Sequence, residues 1–142
     1  MDLNQINATL ETCAFEAAWM VWVELAERDD ARVREAVTEA VGLSYGNYKG
    51  VSFESGPGMQ FFQPMEGSVM GDAGRTVEMP VRVLTFCVPR DTATLALAVE
   101  AVRNSHSYEE PVITVLEVLA CRADDRSQRD NPNRWWNRGF SE

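Results

Sequence analysis

The chain holds one histidine, His106, in 142 residues. A single imidazole removes most histidine-built metal centres and most acid–base relays at once. Cysteine is also scarce. Cys13, Cys87 and Cys121 are odd in number, far apart and in no CxxC pair. That spacing argues against a disulfide framework and against a zinc ribbon. Cys87 and Cys121 fall on or beside expected strands and read as buried, inert thiols of a reducing compartment. The expected localisation is therefore cytoplasmic. Basic residues are in deficit: 13 Lys and Arg stand against 22 Asp and Glu, for a net charge of -9. Nucleic-acid binding needs a basic face, and none is expected here. Long apolar runs are missing as well. Ala17 to Val23 is too short to span a bilayer, so no membrane partner is expected. The glycine-rich stretch Gly67 to Gly74 lacks a lysine at phosphate-loop spacing and fails as a phosphate cradle. Composition leaves room for a Ser-His-Asp arrangement, but no nucleophile elbow accompanies it, and no residue is assigned a catalytic role.

What is present is an ordinary globular composition. Hydrophobic residues make up 45% and charged residues 25%, and the length suits one core. Leu3, Ile6 and Leu10 recur at helical spacing, so residues 1–16 read as a leader with a short helix. Trp19 to Leu25 is aromatic and β-branched and reads as a buried strand. Asp29 and Asp30 offer a cap to a helix with Val33, Val37, Ala40 and Val41 on one face. Gly42 suits its C-terminal stop. Leu43 to Gly50 is a loop. Val51 to Ser55 and Met59 to Gln63, split by Gly56-Pro57-Gly58, read as a hairpin. Val77 to Val88 is a strand, broken by Pro89. Asp91 or Thr92 caps a second helix carrying Leu95, Val99 and Val102. His106 to Pro111 closes that helix, and Val112 to Leu119 is the last strand.

The order β-α-β-β-β-α-β predicts an α+β, ferredoxin-like domain over residues 17–120, with one antiparallel sheet and two helices on one face. The other face is then bare, which predicts an oligomer or a covering segment. Residues 121–142 form a mixed-charge tail. Its adjacent Trp135 and Trp136 are expected to dock on the domain or on a neighbouring subunit, because exposed tryptophans leave a large apolar surface in water.

The blocks Gly46-Asn47-Tyr48, Phe53, Gly56-Pro57-Gly58, Phe62-Gln63-Pro64-Met65-Glu66-Gly67 and Ser105-His106-Ser107-Tyr108-Glu109-Glu110-Pro111 occur in this order. As a set, they resemble the insert domain of YqfO-type (NIF-three-like) proteins, itself related to CutA and PII proteins. The likeness covers roughly Trp19 to Leu119. CutA proteins carry a similar His-Pro-Tyr-Glu block before their final strand. Ser107 stands where the family usually has proline. Phe61-Phe62 replaces a Gln-Phe pair, and Ser68-Val69-Met70 replaces Ala-Asn-Pro. The resemblance implies a CutA- or PII-like sandwich, a trimer, and a site for something small or for a protein partner. It does not imply catalysis. The full-length family's dinuclear metal site needs several histidines, which this chain lacks.

Two readings of the second block stand side by side. In one, His106 and Glu110 ligate a divalent metal ion, while Asn47, Tyr48, Tyr108 and Glu109 line a ligand cleft between subunits. In the other, His106 caps a helix C-terminus, Tyr108 packs, and the glutamates meet arginines across an interface. Gly46-Asn47-Tyr48 divides the same way, between a ligand pocket and a positive-φ turn. The expected function is a non-enzymatic homo-oligomer that binds or senses a metal ion or small ligand. The alternatives are an assembly module without ligand, or an enzyme using cleft carboxylates.

Overall fold

A computed structural model describes residues 1–123 and 129–139. Helix α1 (Leu3–Thr9) precedes strand β1 (Cys13–Ala26) and helix α2 (Asp30–Val41). Strands β2 (Phe53–Glu54), β3 (Gly58–Phe62) and β4 (Val77–Pro89) follow, then helix α3 (Thr92–Ser105) and strand β5 (Ile113–Ala123). One five-stranded sheet runs in the order β2-β4-β1-β5, with β3 also paired to β4. This is the antiparallel ferredoxin-like arrangement expected from the element order. No helix among the described residues is long and apolar enough to cross a membrane.

The helices end where their sequences predict. Asp91 caps α3, accepting from the Thr94 amide at 2.8 Å and the Thr94 hydroxyl at 2.6 Å. Gly42 closes α2 at a φ of 77°, its amide donating to Thr38 O. The glycine is required there because a side chain is strained at that angle.

Three expectations are corrected. β1 starts at Cys13 rather than at Trp19. Alternation continues through Cys13 and Phe15, but alanines dilute the β-branched signal there. β2 and β3 do not form a hairpin with each other. Both run antiparallel to β4, Phe53 facing Thr85 and Met59 facing Pro80, so they act as one edge strand interrupted near Gly56-Pro57. A proline in the sequence marks a break in a strand as readily as a reversal. The hairpin instead joins β3 to β4 through residues 63–76. Finally, the cysteines are half-buried rather than sealed.

The chain divides into two compact units. Residues 18–118 form the larger one. Its core joins Val21, Val23 and Leu25 of β1, Leu84, Phe86 and Val88 of β4, Val33 and Val37 of α2, and Ala98 and Val102 of α3. All are buried. Because strand side chains alternate, the intervening residues face the other way. Met20, Trp22 and Glu24 stand there beside their partners Cys87, Thr85 and Val83. Trp22 is 43% exposed and Phe53, also opposite Thr85, is 67% exposed. The helices therefore cover one face, and the second presents an apolar row.

Residues 1–17 and 119–142 form the second unit. Asn7 fastens α1 to the start of β1, its side-chain amide donating to Phe15 O at 2.8 Å and its Oδ1 accepting from Phe15 N at 2.7 Å. Arg122 pairs with Glu16 at 2.7 Å. Trp135 and Trp136 pack edge-on against each other, and the Trp136 indole donates to Arg129 O at 3.2 Å. Both keep more than half of their surface exposed. Asp124, Asp125 and Arg126, read from sequence as part of a solvated tail, lie outside the described residues.

Candidate functional site

The chain between α3 and β5 turns before the strand begins. β5 starts at Ile113, so residues 106–111 form a turn and not a strand entry. Tyr108, Glu109 and Glu110 therefore follow no strand alternation. His106 is the C-cap of α3, its amide donating to Val102 O at 2.9 Å.

The His106 ring is fully buried, and both of its nitrogens are engaged within the domain. Nδ1 accepts from the Tyr108 amide at 3.0 Å. Nε2 therefore carries the proton and donates to Glu24 O at 2.8 Å. Asp29 Oδ2 lies 3.4 Å from Nδ1, within ion-pair distance. An acceptor Nδ1 has no proton to share, so the bonding pattern describes a neutral imidazole rather than a charged pair.

Asp29 is the residue that sequence reasoning misplaced. It precedes α2, yet its side chain makes no cap hydrogen bond. It is wholly buried instead. Arg32 donates to Asp29 Oδ1, and Ser107 Oγ donates to Asp29 Oδ2 at 2.6 Å. Arg32 Nε also donates to Ser105 O at 2.7 Å. One arginine thus bonds both the start of α2 and the end of α3. The clue in the sequence was Ser107 itself, since a proline at that position has no hydroxyl to donate.

Asp29, His106 and Ser107 thus do meet, but not as a catalytic relay. In a nucleophilic triad the serine donates to the histidine and the histidine to the aspartate. Here the serine donates to the aspartate and the histidine to a backbone carbonyl.

Tyr108 packs its ring 5.0 Å from that of His106. Its hydroxyl is buried without a hydrogen-bond partner among the described residues. Burial pushes the phenol above its ordinary value of 10.0, and the carboxylates of Asp29 and Glu24 add to the rise, against Arg28. Glu109 Oε2 accepts from the Val69 amide at 3.0 Å, tying residues 63–76 to the turn. Glu110 is exposed and lies 3.5 Å from Arg103. Tyr48 is 72% exposed and Asn47 is exposed beside it. Tyr45 and Tyr48 form a backbone bridge around Gly46, whose φ is 57°. Among the described residues, the positive-φ residue besides glycine is Leu43, not Asn47.

The structure therefore gathers His106, Tyr108, Asp29 and Ser107, and places Glu110, Asn47 and Tyr48 at the surface. No group of three or more His, Cys, Asp or Glu side chains is poised for a metal ion among the described residues. An open cleft of about 210 Å³ is lined by Leu25, Ala26, Glu27 and Arg82, none of them an expected site residue. It is smaller than the roughly 300–1,000 Å³ of small-molecule sites.

No known protein family matches the chain, and no curated protein matches it. Solved structures do. A NIF3-related protein of Bacillus cereus aligns at a TM-score of 0.62 and 22% identity, over 83% of this chain and 34% of that one. The chain thus spans about a third of that protein's length. CutA1 of Oryza sativa aligns at 0.53 and 12% identity, over 73% and 82% of the two chains. The periplasmic divalent cation tolerance protein CutA of Archaeoglobus fulgidus aligns at 0.52 and 15%, over 71% and 83%. At these identities the likeness establishes a shared fold, the one implied by the ordered sequence blocks.

Proposed function

We propose that this chain is a non-enzymatic module that assembles with copies of itself through the helix-free face of its sheet. The observation that carries this reading is the apolar row on that face. Trp22 sits at its centre, next to Thr85 and in line with Phe53. A soluble domain rarely leaves such a row in water. Association of identical chains buries it symmetrically. The resemblance to CutA- and PII-like domains favours a closed trimer. Internal use of His106, Asp29 and Ser107 supports assembly over catalysis, because these three groups are committed to holding a turn.

A second reading has its own support. The Archaeoglobus fulgidus neighbour is described as a divalent cation tolerance protein. In that reading the exposed Glu110, with Asn47, Tyr48 and Glu109 nearby in the assembled cleft, meets a divalent ion or small ligand between subunits. His106 then orients the turn instead of ligating.

Native mass spectrometry of the chain, with and without added divalent cations, separates the two. The assembly reading expects a homo-oligomer that persists after chelation. Replacing Trp22 with Arg should shift the mass toward monomer, while the circular-dichroism spectrum stays folded. The cation reading expects stoichiometric metal that Glu110→Gln removes without changing the oligomer. A wild-type monomer at micromolar concentration would overturn both.

A further inference from the structure

The resemblance leaves the cysteines unexplained, and two of them are neighbours. Cys13 opens β1 and Cys121 lies near the end of β5. These strands are adjacent in the sheet. Arg122, next to Cys121, pairs with Glu16 near the start of β1 at 2.7 Å, so both cysteines lie at the same end of the sheet, where neighbouring strands stand about 4.5–5.5 Å apart at Cα, inside the roughly 4.4–6.8 Å range that a disulfide spans. The Cys13 and Cys121 side chains lie within hydrogen-bonding reach of each other. Both are half-buried, so solvent reaches them, and no disulfide joins them in this structure. Cys87, by contrast, lies on β4 opposite Met20.

We propose that Cys13 and Cys121 form a two-thiol modification site that closes into an intramolecular disulfide on meeting a small-molecule disulfide. The hydrogen bond raises Cys121 above its ordinary thiol value, with burial and the Cys13 charge adding to the rise. The exchange takes two steps, written here with Cys13 as the attacking sulfur. The Cys13 thiolate breaks the S–S bond of the oxidant and releases one small thiolate, leaving a mixed disulfide. Cys121 then gives up its proton to solvent. Its thiolate attacks the Cys13 sulfur and expels the second small thiolate. In sum, two protein thiols lose two electrons and two protons, and one small disulfide becomes two small thiols. The product ties the first strand of the sheet to its last.

The test uses the full reduced chain with oxidised glutathione at graded ratios to reduced glutathione. It reads intact mass, alkylatable thiols and a peptide map. The expected product is lighter by about two hydrogens, keeps Cys87 alkylatable, and yields a linked peptide pair containing Cys13 and Cys121. Cys87→Ser should close in the same way, and dithiothreitol should reopen both. Three thiols that stay alkylatable in fully oxidised glutathione would overturn the proposal. So would a persistent glutathione adduct, a link to Cys87, or a disulfide between chains.

Discussion

At the scale of single residues, the informative feature is a cluster of polar groups satisfied internally. Asp29 is buried under donors from Arg32 and Ser107, and His106 bridges Tyr108 to β1. Removing one partner of a buried bond leaves the others unsatisfied, at about 1–3 kcal/mol each. Asp29→Ala is therefore expected to cost on the order of 2–3 kcal/mol in urea unfolding. Tyr108→Phe should do the opposite. Its hydroxyl has no partner, so its removal should leave stability at pH 7 unchanged or raise it by up to about 1 kcal/mol. The variant also separates a pH effect. The phenol is raised above 10.0 in the fold, so the neutral form is the one the fold favours. Its contribution is full below pH 10 and fades as pH rises through the folded value. In Tyr108→Phe that alkaline loss should shrink, as read from melting temperature between pH 9 and pH 12.

At the scale of elements, the start of α3 and the end of α2 were legible because such caps are local, whereas Asp29 before α2 turned inward instead of capping. Asp91, three residues before Thr94, caps α3 as its position predicts. The Thr94 hydroxyl and amide hold the Asp91 carboxyl below its ordinary value of 3.8, against a small opposing effect of burial. A depressed carboxyl stabilises the fold above its unfolded value, and the benefit is lost as pH falls through the folded value. Asp91→Ala should thus lower the melting temperature at pH 7. The deficit should narrow below pH 4, as a pH series of thermal melts would record. Strand pairing was less legible. Gly56-Pro57-Gly58 carries turn chemistry, but whether a turn residue reverses a strand or only bends it depends on the neighbouring strand. Here β4 takes both segments.

For the whole molecule, the sheet has one face under helices and one under an apolar row. Among β5 residues, Ile113 packs toward the core. Alternation then places Leu116, 44% exposed, on the row's side. If this face joins copies, folding and association are linked, and the melting temperature should rise with protein concentration. Leu116→Glu should abolish that dependence by placing a charge in the apolar contact. Calorimetry over a hundredfold concentration range would record it. A concentration-independent transition in the wild-type chain would count against assembly.

The sequence by itself determined the α+β order, the Asp91 cap of α3 and the Gly42 stop of α2. Each of these depends on periodicity or on chemistry within a few residues. It also singled out the turn around His106. Only the tertiary structure decided what that turn does. Asp29 and Ser107 lie far apart in the chain, as do Cys13 and Cys121, and no local pattern records that they meet. The imidazole's role followed from that meeting. Once β1 supplied a carbonyl and the turn an amide, both ring nitrogens became structural.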